Sequence, residues 1–203
     1  DVGTTGTITI GGSGSQTSLG TCTTSGTAWG NGTSGKLNGS LNFDGTDDYF
    51  YTQIIPTSSS FAISLWFKTT NIRDGDKLFW GRGTNKGILG FSGTSGNLTW
   101  YVETDTGTAG YTITNSRINL NQWNHVVLQY TGSQVESYIN GIKDKNTNAL
   151  TGSSTASAFN FGTNYNFSDD WFNGQLDDVR IYNYALTPIQ VKNIYNNGAI
   201  NFQ

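Results

Sequence analysis

A chain of 203 residues, 13% aromatic, 12% charged and with a formal charge of −3, has the length of one well-buried β domain and is short for two. Gly, Ser, Thr and Asn crowd it beside Trp, Tyr and Phe, which pairs turn formers with strand formers and predicts an all-β fold. Lys and Arg form no cluster, which argues against nucleic acid as a partner, and no apolar run approaches the roughly 20 residues of a membrane helix, so no membrane span is expected.

Residues 1–38 are rich in Gly, Ser and Thr, and TITI at 7–10 is their one apolar alternation. They read as a first strand and a long loop of the single domain 1–203. Methionine is absent even at position 1, so the sequence is expected to start after a removed segment, with an extracellular or cell-surface setting. Cys22 is the only cysteine, which excludes an internal disulfide framework.

From Leu41 onward strand signals become regular. In FAISLWFK, Phe61, Ile63, Leu65 and Phe67 alternate with Ala62, Ser64, Trp66 and Lys68, the period of a strand with one face on a core. Further strands are expected at 77–81, 87–91, 98–104, 110–114, 123–131 and 135–140. Asn140-Gly141 is a hairpin turn, because both residues tolerate positive φ. TPIQVKNIYNNG alone reads as helix: Thr187 caps it, Pro188 suits its first position, Gln190 completes a capping box and Gly198 can close its far end.

LNFDGTDDY (41–49), FAISLWFKT (61–69), NQWNHVVLQYTGSQVESYINGIKD (121–144) and FNGQLDDVRIYNYALTPIQVKNIY (172–195), taken in order, resemble the laminin-G-like, concanavalin A-like jelly-roll domains of bacterial and archaeal surface proteins. The resemblance implies a two-sheet antiparallel jelly-roll sandwich with one short C-terminal helix, and a structural calcium ion at an edge. Two segments carry it most plainly, Phe43 to Tyr49 and Gly174 to Tyr182. Asn140-Gly141 stands where many members have Asp-Gly, and the first forty residues match poorly.

Asp177 and Asp178 sit side by side in an expected strand, so alternation sends them to opposite faces and one of them needs a partner. By resemblance to jelly-roll glucanases, Asp177 is the candidate calcium ligand, joined by a carbonyl of the Asp44-Gly45 turn. Calcium gathers carboxylates, carbonyls and water in this way. The same carboxylates can instead accept turn amides, or pair with Arg180, with no metal at all. Both readings stand at this point.

Glu103 and Glu136 are the only glutamates and form no paired-carboxylate motif of the kind glycosidases use, and His125 is the only histidine. A non-enzyme is therefore expected. Among the six tryptophans, Trp66 and Trp123 occupy family strand positions, whereas Trp80, Trp100 and Trp171 lie near turns or strand ends. Trp171 follows Asp169 and Asp170, and an aromatic beside carboxylates can stack a sugar ring while accepting its hydroxyls. Packing is the competing reading for each ring. The expected function is a non-catalytic recognition or adhesion module for a glycan or a cell-surface protein. The alternative is a structural or tip subunit of a surface filament or pilus, self-assembling through a segment before Asp1 or through the Gly/Thr-rich N-terminal strand.

Overall fold

The computed structural model describes residues 7–10, 14–16, 29–30, 35–37, 39–52, 59–82, 87–106, 109–146, 149–153, 158–164 and 170–196. In chain order the strands are β1 (Thr7–Ile10), β2 (Gly14–Gln16), β3 (Trp29–Gly30), β4 (Ser40–Asp44), β5 (Tyr49–Thr52), β6 (Phe61–Lys68), β7 (Lys77–Arg82), β8 (Gly87–Ser92), β9 (Asn97–Glu103), β10 (Ala109–Ile113), β11 (Asn124–Tyr130), β12 (Val135–Ile139), β13 (Ile142–Asn146), β14 (Ala158–Phe161) and β15 (Asn173–Tyr182), followed by the helix α1 (Pro188–Tyr195). They form two antiparallel sheets. One runs β10-β9-β8-β7-β14-β5-β1-β2 and the other β13-β12-β11-β6-β15-β4-β3. Among the described residues no helix is long and apolar enough to cross a membrane.

Alternation explains the core between the sheets. Phe61, Ile63, Leu65 and Phe67 of β6 and Val126, Leu128 and Tyr130 of β11 point inward from one side. Leu98, Trp100 and Val102 of β9, with Phe79, Leu89, Phe91, Phe159 and Phe161, meet them from the other. Several rings meet edge-on, such as Phe79 with Phe159 at 6.0 Å and 86°, an arrangement that suits aromatic quadrupoles.

The period of two in β6 predicts one wet face, but Ala62, Ser64 and Trp66 are as buried as their inward neighbours. The cause is the segment after β15, which folds back over the outer face of the seven-stranded sheet. Leu186 and Val191 pack there on Ala62, Val127 and Tyr138. Gln129 fixes the crossing by accepting from the Leu186 amide (2.8 Å) and donating to its carbonyl (3.2 Å).

Local chemistry sets the punctuation. Thr187 and Gln190 form the expected capping box, the Thr187 amide donating to Gln190 Oε1 at 2.8 Å. The cap expected at Gly198 falls outside the described residues. Asn140 and Gly141 turn the β12–β13 hairpin with φ of 51° and 79°, the pairing of positive angles that a tight hairpin uses. The short strands β5 and β14 carry no strong pattern of their own. They are fixed by their neighbours, β14 lying between β7 and β5.

Gly162 holds a φ of +86°, and a Cβ there would stand 2.5 Å from the Phe43 ring. Gly162→Ala is expected to cost more than about 2 kcal/mol, since strain and overpacking add at one position. Urea denaturation of the variant, at unchanged m-value, checks this.

Candidate functional site

The two aspartates of β15 lie at an irregularity in the pairing of β15 with β6, between Asp177 and Arg180. Asp178 adopts φ of +48° there, a conformation Asp tolerates better than most residues. Asp177 is occupied by backbone donors: Oδ2 accepts the Leu37 amide and Oδ1 the Asp178 amide, both at 2.7 Å. Asp178 Oδ1 accepts Arg180 Nε at 2.7 Å. Burial pushes the Asp178 carboxyl above its ordinary pKa, and Arg180 works against that rise.

The expected calcium ligands are not brought together. β15 pairs with β4 so that Asn173 faces Asp44 and Leu176 faces Leu41, which leaves Asp177 about 13 Å along the ladder from Asp44. Asp44 Oδ1 accepts the Thr46 amide at 2.8 Å, and its carbonyl accepts Asn173 Nδ2 at 2.6 Å. The Gly45 carbonyl accepts Arg73 Nη2 at 3.3 Å. A hard cation needs six or more converging oxygens, and Asp44, Gly45 and Asp177 do not supply them as a set. Among the described residues no group of three or more His, Cys, Asp or Glu could hold a metal ion.

The five expected ligand-binding residues separate in the same way. Trp100 is fully buried and lies edge-on to Phe79 at 5.5 Å. Its position on β9 alternates inward with Leu98 and Val102, so it is a core residue and offers a ligand no face. Asp169 and the Trp80 side chain lie outside the described residues. Trp171 and Asp170 remain, and they stand together at one rim of the eight-stranded sheet.

That rim is built by three loops. The chain leaves the eight-stranded sheet at Gly162 and crosses to the seven-stranded sheet after Phe172, whose amide donates to the Gly162 carbonyl at 2.9 Å. Asp170 lies on this crossing with φ of +55°, its carbonyl accepting the Lys77 amide at 3.0 Å. Its carboxylate pairs with Lys77 Nζ at 3.3 Å. Gly75 makes room for this, because a Cβ there would lie 2.8 Å from Asp170 Oδ1. The half-buried Trp171 ring stands 6.2 Å from Tyr49, inclined by 37°.

Sequence reasoning missed Tyr49 as a site residue. The signal was the alternation of Tyr49 and Tyr51 about Phe50, which turns inward to stack on Phe161 at 4.5 Å. The outward side of β5 is therefore aromatic. In backbone register Tyr51 lies opposite Asn160 of β14, which is fully buried, so the exposed aromatic side of β5 does not continue through that position.

His125 belongs to the opposite outer face. Its Nε2 lies 2.9 Å from Ser64 Oγ, and its ring packs on Trp66 and Tyr195 at 5.0 and 5.8 Å. The pair is sealed, since both residues are fully buried.

A family model described as the concanavalin A-like lectin/glucanases superfamily matches residues 44–192. A search of curated proteins found no match. Among solved structures, domain 4 of AbnA, a GH43 extracellular arabinanase from Geobacillus stearothermophilus in complex with arabinotriose, aligns at 24% identity and TM-score 0.64, over 79% of this chain and 78% of its own. The binding domain of Paraclostridial Mosquitocidal Protein 1 aligns at 18% identity and TM-score 0.65, over 94% of this chain but 51% of its own. A heptameric SAP-like pentraxin from Limulus polyphemus aligns at 18% identity and TM-score 0.62, over 76% of this chain and 80% of its own. At these identities the likeness is one of fold.

Burial, with the nearby Arg180 charge, lowers the His125 pKa to about 4. In the unfolded chain His titrates near 6.5, so between these values the unfolded state binds the extra proton and stability falls as pH falls. His125 is expected to cost up to about 3 kcal/mol between pH 7 and pH 4. Urea denaturation across that range should show a steeper acid loss for the wild type than for His125→Gln.

Proposed function

The chain belongs to the concanavalin A-like lectin/glucanases superfamily, and from that premise we propose that it is a non-catalytic glycan-recognition module acting outside the cell. The observation that carries this reading is the rim where the inclined Trp171 and Tyr49 rings stand beside the Asp170–Lys77 ion pair. The apolar face of a sugar ring gains by leaving water for an aromatic surface, and its hydroxyls need donors and acceptors at the edge of that surface. Tyr49 and Trp171 provide the first. Asp170 and Lys77 provide the second, one as acceptor and the other as donor.

One further observation favours a saccharide: the related Geobacillus domain is described with arabinotriose bound. Catalysis finds less support. Retaining hydrolysis needs two carboxyl groups about 5–5.5 Å apart, while Glu103 and Glu136 lie on strands of different sheets. Each is engaged, Glu103 by Tyr101 at 3.1 Å and Glu136 by Lys143 at 2.7 Å. The TITI strand itself is paired on one side with β2 and on the other with β5, so it is not the unpaired strand that exchange through it would use.

A glycan array followed by titration calorimetry tests the reading. Saturable binding to at least one glycan class is expected. Trp171→Ala should weaken it tenfold or more, about 1.4 kcal/mol, while Trp171→Phe retains most of it and Trp100→Phe leaves affinity unchanged in the folded protein. Absence of saturable binding to any glycan defeats the proposal.

A further inference from the structure

An arginine at the rim holds the carbonyl of Gly45, one of the three residues that the family resemblance implies as calcium ligands. Arg73 comes from the loop between β6 and β7 and reaches across to two others. Its Nη2 donates to the Trp171 carbonyl at 2.7 Å and to the Gly45 carbonyl at 3.3 Å. Its Nε donates to Asp76 Oδ2 at 3.2 Å. Two carbonyls and one carboxylate from three chain-distant segments thus converge on one positive group.

We propose that the Arg73 guanidinium does at this rim what a calcium ion would do, so that the junction of the three loops, and glycan recognition at Trp171, are independent of calcium. The oxygen set is shaped for it. A planar fork offers several directed donors and a permanent charge, which suits two carbonyls and a carboxylate better than it suits a cation wanting six or more oxygens. Asp76 is 4% exposed; burial pushes its carboxyl up, and the Arg73 charge and hydrogen bond work against that rise. Gly45 completes the fit: at φ of +81° a Cβ would stand 2.6 Å from Arg73 Nη2 and 2.9 Å from Asn173. Divalent charge does not enter beside a guanidinium without displacing it.

Arg73 is a positioning residue in this account. Holding the Trp171 carbonyl fixes the backbone from which the indole projects toward Tyr49. The binding half of the inference rests on the glycan reading, whereas the stability half does not.

Thermal melts and glycan titrations of the wild type, Arg73→Lys and Arg73→Ala, each with millimolar calcium or with EDTA, test both halves. The wild-type melting temperature should be the same in calcium and EDTA. Both variants should melt lower by about 5 °C, because a lysine keeps the charge but loses the fork. Titrated well below its melting point, Arg73→Lys should bind glycan about tenfold more weakly, and Trp171→Ala should lose affinity with little change in the melt. A calcium-dependent rise in the wild-type melt, or Arg73→Lys behaving as wild type, overturns the proposal. If no glycan binds even the wild type, the functional reading fails while the melts still decide the clamp. If Arg73→Ala does not fold, Arg73→Lys decides.

Discussion

Facing layers of aromatic side chains between the two sheets are the constraint on which the rest of the structure depends. Phe61 and Phe67 from one sheet meet Phe79, Trp100, Phe159 and Phe161 from the other. Because successive residues of a strand alternate, fixing one inward residue fixes the outward direction of its neighbours. Phe50 stacked on Phe161 turns Tyr49 and Tyr51 out. Trp100 in the core turns Tyr101 out, where its hydroxyl donates to Glu103. The candidate binding surface is in this sense the other side of the core.

The two outer faces then diverge in role. On the seven-stranded sheet, the segment through Leu186 and α1 covers Ala62, Val127 and Tyr138, and the polar residues beneath it are sealed with Ser64 and His125 bonded to each other. On the eight-stranded sheet, Tyr49 and Tyr51 of β5 turn away from the core, and Tyr49 meets Trp171 at the rim. That rim owes its shape to backbone conformation as much as to side chains. Positive φ at Asp170, Gly45 and Gly75 lets three loops approach within hydrogen-bonding distance.

The period of two in FAISLWFK, the Asn-Gly turn and the capping box of TPIQ are local signals, each set by residues a few positions apart, and the elements they predict are present. The lectin-like fold was legible through the order of such segments. What stayed hidden depends on contacts distant in sequence. Trp100 and Trp171 are alike in composition and setting, and only the parity of β9 against the core sends one ring inward. Asp177 carries a family position, yet its oxygens are taken by the amides of Leu37 and Asp178, one of them 140 residues away. Arg73 looks like an ordinary loop charge until Gly45 and Trp171 are folded onto it. Pairings of that kind leave no periodic trace.

The position of β15 bears on how the molecule comes to be assembled. Among the described residues the last strand in sequence lies in the interior of its sheet, between β4 and β6, and pairs Asn173 with Asp44. The pairings of β15 with β4 and β6 cannot be completed until residue 182 has been made. Closure of so long a loop favours a slow final step, and until it occurs the exposed edges are open to mispairing with other chains.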